Sequence, residues 1–294
     1  MADRSPIAAD WHTSHRAERV EFPGQLHHFR CGVRIMRGTM CLRLTEEGDV
    51  RTVLGVQRWL SAFDEQSRMF RDVVREVDPE TMVPSCPPWT FGQLTMHVGR
   101  FLQTVSAHVR SGSQEPMRPD PLTTVPDPVG FLDEQVADVR EVLGSTPGNR
   151  PVWTFSPAAP RLAWFWHRRV AHEMALRRWD AHSASRSSAP LSRDLALDGV
   201  DEALGTLLAA KQAVDSPLAV SGTALVVCDD GDETWRVRFV PGEVPEVRQV
   251  KPGATVATDA RASGRASHLY LALWGRVPLN GEGDPAILAA LRLR

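Results

Sequence analysis

Between positions 53 and 186 four runs of residues repeat their apolar members every three or four places, and that period leaves few folds open. In the first run Val56, Leu60, Phe63, Ser67, Phe70, Val74 and Val77 share one helix face, and Asp78-Pro79 ends it. The second opens on Thr90-Phe91-Gly92-Gln93, a capping box in which Thr90 and Gln93 each serve the other's free backbone N–H. Its inner stripe is predicted to be Leu94, His97, Phe101, Thr104 and His108. The third opens on Asp127-Pro128, an N-cap followed by proline at the first helical position, and lines up Val129, Leu132, Val136, Val139 and Leu143. The fourth is predicted from about Arg161 to His182. Each stripe needs a partner to leave water. Four such helices with one long connection, the proline-rich 116–128, predict a four-helix bundle with a crossover at that connection.

The texture changes after "SASRSSAPLS". A helix is expected over 194–213. "ALVVCDDGDETWRVRFV" then reads as a hairpin, with Trp235, Val237 and Phe239 alternating against Thr234, Arg236 and Arg238 around a DDGD turn. "EVRQV" and "TVATDA" read as further strands, and "ASHLYLALWGR" and "DPAILAALRL" as closing helices, which makes a small α+β domain. The expected organisation is therefore a disordered leader over 1–50, a bundle over 53–186 and an α+β domain over 192–294. The leader shows no sustained period, carries His12, His15, His27 and His28, and offers Met36 and Met40 as alternative starts.

A net charge of −2 gives no electrostatic reason to expect nucleic acid or an anionic membrane as partner. No run of about 18 apolar residues is present. Cys31, Cys41, Cys86 and Cys228 form no CxxC pair and no zinc-finger spacing, which fits a reducing cytoplasm. Cys86 reads as a structural thiol. Only two of the 34 basic residues, Lys211 and Lys251, are lysine, as expected of a GC-rich genome.

The chemistry concentrates in "VAHEMALRRWDAH", residues 170–182. On a helix, Glu173, Arg177 and Asp180 fall on one face, while His172 lies about 100° away beside Leu176 and Trp179. An inward carboxylate is costly unless paired or bound to metal, and His97 on the second helix makes a possible second ligand. Arg177, one turn after Glu173, cannot ligate. Its charge would repel a dication 5 Å away by about 6–7 kcal/mol at an effective dielectric of about 20. Spacing alone favours a chain of ion pairs. His268 and Arg276 read as capping or surface groups.

Three segments in order resemble one family. "VPSCPPWTFGQLTMHVGR", "PVWTFSPAAPRLAWFWHRRVAHEMALRRWDAHSA" and "SGRASHLYLALWGRVPLNGEGDPAILAAL" look like the conserved segments of the mycothiol-dependent maleylpyruvate isomerases, over about residues 55–294. The resemblance implies a DinB-like metal-binding bundle followed by a sterol-carrier-like α+β domain, in an actinobacterial protein. It implies a divalent metal, zinc by its chemistry, held by a histidine of the second helix and by a glutamate and a histidine four residues apart on the fourth. Those positions are His97, Glu173 and Arg177, so the third departs from the pattern. It also implies mycothiol as thiol cosubstrate and a small electrophile as partner, in a monomer or homodimer.

Two expectations follow. One is a mycothiol-dependent isomerase or S-transferase, with His97 and Glu173 on the metal and Arg177 and Asp180 in supporting catalytic roles, or a metal-free variant in which Arg177 stabilises the thiolate. The other is a non-catalytic or metal-free relative with a degraded metal site, binding a small ligand or partner.

Overall fold

The computed structural model describes residues 54–117, 125–184, 190–214, 219–251 and 256–293; the expected leader over 1–50 lies outside them. Four long helices come first: α1 (Val56–Glu76), α2 (Phe91–Ser111), α3 (Pro128–Ser145) and α4 (Trp164–Ala184). The start signals act as expected. Thr90 and Gln93 form the capping box of α2, and the Asp127 side chain accepts from the backbone N–H groups of Val129 and Gly130 at the start of α3.

The bundle pairs α1 with α4 and α2 with α3, and closes through α1–α3 and α2–α4 contacts. The crossover expected at 116–128 is therefore not there, because that segment joins two neighbours. The segments at 77–90 and 146–163 join helices that touch little or not at all and make the crossing connections. The buried stripe of α2 is also rotated from the expected one. Leu94, Val98, Leu102, Val105 and Val109 face the core, whereas Phe101 and Thr104 are half-buried. Packing against α3 and α4 together turns the helix, and His97 comes to the margin of the core.

Helix α4 has almost no wet face: sixteen of its 21 residues are buried. Val170, Ala171 and Met174 join the bundle core, while Ala175 and Leu176 join the core of the second domain. A helix enclosed from both sides must bury its polar residues too, and each of these needs a partner.

The second domain begins with α5 (Arg193–Glu202), which passes through a π-helical turn (Ala203–Leu207) into α6 (Leu208–Val214). Strands β1 (Gly222–Cys228), β2 (Thr234–Phe239), β3 (Glu246–Val250), β4 (Ala260–Gly264) and β5 (Gly281–Gly283) form a mixed sheet in the order β3-β2-β1-β4-β5. Strands β1 and β4 are parallel and the other pairs antiparallel. Trp235, Val237 and Phe239 of β2 face the core, as their alternation predicts. The strand expected at "TVATDA" is displaced: residues 256–258 are irregular and pairing starts at Ala260, while β5 carried no sequence signal. Helices α7 (Ala266–Leu273) and α8 (Pro285–Ala290) complete the domain. Gly199 lets α7 lie close to α5, since a Cβ there would come within 2.5 Å of the Tyr270 ring. The architecture is thus a helical bundle followed by a small α+β domain, as expected. Among the described residues no helix is long and apolar enough to cross a membrane.

A buried charge row at the candidate site

Glu173, Arg177 and Asp180 stand on one face of α4, and the structure places further charges around them. Arg177 Nε donates to Glu173 Oε1 at 2.7 Å, and Arg177 Nη1 donates to Asp180 Oδ2 at 3.1 Å. Arg169, one turn earlier, donates to Glu173 Oε2 at 3.3 Å and also pairs with Glu202 of α5. Arg276 donates from Nε and Nη2 to the two oxygens of Asp180 at 2.9 and 2.8 Å. The row is sealed, since Arg177 is 2% and Asp180 0% exposed. Three arginines face three carboxylates, so the buried charge is balanced.

Local structure explains each arrival. Helix α7 ends in a Schellman motif: Arg276 N–H donates to Leu271 O and Gly275 N–H to Ala272 O, with Gly275 at φ 71°. The chain turns there and sends Arg276 back to α4. The loop before α2 is tied by Cys86 N–H to Val83 O and by Trp89 N–H to Cys86 O. It brings Ser85 Oγ to Asp180 Oδ1 at 2.7 Å and Cys86 Sγ to Asp180 Oδ2 at 3.2 Å. The sulfur also accepts from Arg276 Nη2 at 3.4 Å. Trp89 covers the row, 5.7 Å from the Arg177 guanidinium carbon and 4.7 Å from the His97 ring.

His97 meets the row through Nε2, which lies 3.4 Å from Arg177 Nη2 and 3.4 Å from Glu173 Oε1. A single ring nitrogen either accepts from the arginine or donates to the carboxylate, so the His97 proton chooses between them. The electrostatics follow from the partners. Burial by itself would raise the Glu173 pKa, but Arg177, His97 and Arg169 together hold it well below the usual carboxylate range. Asp180 is likewise pushed far down against its burial, by Arg276, Arg177 and the Ser85 hydroxyl. Despite burial, Arg177 is held even more firmly protonated by Glu173 and Asp180.

As arranged, these side chains do not fit a dication. The guanidinium is bonded to the glutamate and faces the histidine nitrogen, so both prospective donors already meet a cation. Among the described residues no group of three His, Cys, Asp or Glu is gathered to hold a metal. Outside His97 a surface cleft of about 650 Å³ opens between Pro79, Trp89, Met96, Arg100 and Pro128.

A second buried cluster occupies the other side of α4. Asp198 of α5 accepts from Trp59 Nε1 at 2.9 Å, Arg168 Nε at 3.0 Å, His172 Nε2 at 2.7 Å and the Leu54 N–H at 3.1 Å. Arg168 also reaches Asp201, and Tyr270 Oη donates to the His172 carbonyl. Burial opposes ionisation of Asp198, yet Arg168, His172 and Trp59 bring its pKa down to about 2.

The family model described as the mycothiol maleylpyruvate isomerase N-terminal domain matches residues 60–182, and the model of the corresponding C-terminal domain matches 194–290. The two follow in order and together span well over half of the chain. The chain belongs to the mycothiol-dependent maleylpyruvate isomerase family. Two solved structures are similar to it, the mycothiol-dependent maleylpyruvate isomerase and a histidine-to-alanine mutant of that enzyme. Each is 11% identical at a TM-score of 0.49, with 79% of this chain and 95% of that one covered. No curated protein matches the chain.

Of the residues singled out in the sequence, the fold gathers His97, Glu173, Arg177 and Asp180. His172 does not share a merely apolar face with Leu176; it reaches Asp198. His268 bonds to the Pro278 carbonyl at the surface, as expected of a capping group. Arg276 was expected there too, and instead its side chain is 1% exposed inside the row. The one sequence signal for it was its place in "LWGR", within a segment that resembles the family. Trp89, Ser85 and Arg169 had no periodic signal of their own.

Proposed function

We propose that this member of the family is a thiol-dependent isomerase or S-transferase for a small electrophile, and that it works without a resident dication. The observation that carries this reading is the Arg177 guanidinium set against both Glu173 and His97. The family's chemistry needs a thiolate, and a thiol of pKa about 8.5 is mostly protonated near neutrality. A fixed cation beside a bound thiol favours its ionised form. Arg177 lies beside His97, and His97 lines the Trp89 cleft with its side chain 19% exposed; on this reading His97 takes the thiol proton. Mycothiol as cosubstrate rests on membership of the family. The thiolate then adds to the electrophile. Elimination after rotation about the former double bond gives isomerisation, and displacement of a leaving group gives S-transfer.

A second reading has its own support. With three arginines matched to three carboxylates, the row has no uncompensated cation to offer a thiolate. On that reading the cleft binds a small ligand and no turnover occurs. Mycothiol-dependent consumption of a panel of small electrophiles, maleylpyruvate among them, separates the two. The enzyme reading expects turnover that survives a strong chelator and falls at least 100-fold in His97→Ala. If mycothiol neither reacts nor binds, the non-catalytic reading takes its place.

A further inference from the structure

The two donors that flank Arg177 keep the spacing of a metal site. His97 Nε2 and Glu173 Oε1 are 3.4 Å apart. Zinc bonds of about 2.0–2.2 Å meeting at the tetrahedral angle also set two ligand atoms about 3.4 Å apart. The guanidinium closes that pair, 2.7 Å from one atom and 3.4 Å from the other. The rest of the row holds up independently of it. Glu173 keeps Arg169, and Asp180 keeps Arg276 and Ser85. Glu202 keeps Arg169. Without the Arg177 charge, three carboxylates would face two arginines, and the row would be one negative charge in excess.

We infer that Arg177 is the resident cation of this site, an internal replacement for a dication, and that it hides a latent three-donor metal site which one substitution opens. The inference rests on the metal-independence in the proposed function, and deepens it. The parent chain excludes the metal because its carboxylate and imidazole are already committed to a guanidinium. Arg177→His removes both the plug and its charge, adds a third nitrogen donor one turn from Glu173, and leaves every carboxylate of the row with an arginine. The excess negative charge of the remaining row then favours a dication.

The full-length chain is titrated with Zn²⁺ by calorimetry and with Co²⁺ by visible absorption, since tetrahedral Co²⁺ gives strong bands. The parent is expected to take up no stoichiometric zinc and to give no such bands. Arg177→His is expected to bind one equivalent at least about 100-fold tighter than the parent, and to lose it when His97→Ala is added. One equivalent of zinc on the parent, removed by His97→Ala, overturns the inference. So does a folded Arg177→His protein, judged by its circular dichroism and melting transition, that binds no tighter than the parent. If Arg177→His does not fold, the parent titrations with and without His97→Ala decide. The thiol assay fails or succeeds separately. A parent that takes no zinc and turns over no thiol keeps this inference and loses the enzyme reading, whereas zinc-dependent turnover of the parent sinks this inference and keeps thiol chemistry.

Discussion

Helix α4 buries charge on two sides, and the two sides are built differently. Toward α5, one carboxylate, Asp198, collects four donors from two parts of the chain, the start of α1 and α4. Toward the loop before α2, charge is laid out as an alternating row, Arg169–Glu173–Arg177–Asp180–Arg276, in which each inner member touches the next. The first arrangement has a single hub, and without it Trp59 and His172 lose their acceptor while Arg168 keeps Asp201 as its one remaining carboxylate. The second shares each carboxylate between two cations, so the loss of one arginine leaves both carboxylates partnered. A hub suits an interface whose job is to hold two domains in register. A redundant row tolerates the loss of one arginine without leaving a buried carboxylate alone. Both depend on the same cause: a helix enclosed by two cores has no water to solvate its polar residues, so each must be paired within the protein.

The sharpest break in this comparison is Asp198→Ala. It leaves His172 and Trp59 without their buried acceptor and Arg168 with Asp201 as its remaining carboxylate, and a loss of about 3–5 kcal/mol is expected in urea unfolding. Arg276→Ala should cost less, about 1.5–3 kcal/mol, because Asp180 keeps Arg177 and Ser85. If the two variants unfold at the same midpoint, hub and row do not differ as described.

Acid probes the same contrast without mutation. The folded pKa of Asp198 lies at about 2, below its ordinary 3.8. Its contribution is therefore complete above about pH 4 and is lost as the pH falls toward 2, amounting to roughly 2 kcal/mol. Asp180 and Glu173 are also depressed, so their contributions are likewise full above the ordinary carboxylate range and fade with acid, Asp180 to lower pH than Asp198. Urea midpoints should hold near pH 5 and fall from about pH 4 to pH 2, and Asp198→Asn should make that fall shallower. A midpoint independent of pH in this window would contradict the assignment. The smallest expected effect belongs to Ser85→Ala, about 1 kcal/mol, because Asp180 retains both arginines. A loss beyond about 3 kcal/mol would mean that the loop, rather than the row, carries the hydroxyl's role.

Much of the architecture could be read locally. Thr90 with Gln93 and Asp127 with Pro128 mark helix starts through short-range hydrogen bonds, and the alternation around Trp235 marks a strand through its period of two. Where such signals are weak, long-range pairing sets the boundaries instead. "TVATDA" has strand-forming residues, yet pairing begins at Ala260, because the register is set by β1 alongside. The stripe of α2 was turned by packing on two neighbours, which local periodicity does not encode. At the site, Glu173, Arg177 and Asp180 were legible because helical geometry alone aligns them, and the mismatch of Arg177 could be seen beside its neighbours.

The helical bundle, the α+β domain after it and the charged face of α4 all follow from spacing along single elements of the chain. What that face meets depends on how the elements pack. Packing sets the Arg177 guanidinium against both Glu173 and His97, carries Arg276 in from another domain, and draws His172 to Asp198. These contacts join residues up to 96 positions apart. They exist because two cores close on one helix, and the requirement that every buried charge find a partner selects among the arrangements that closure allows.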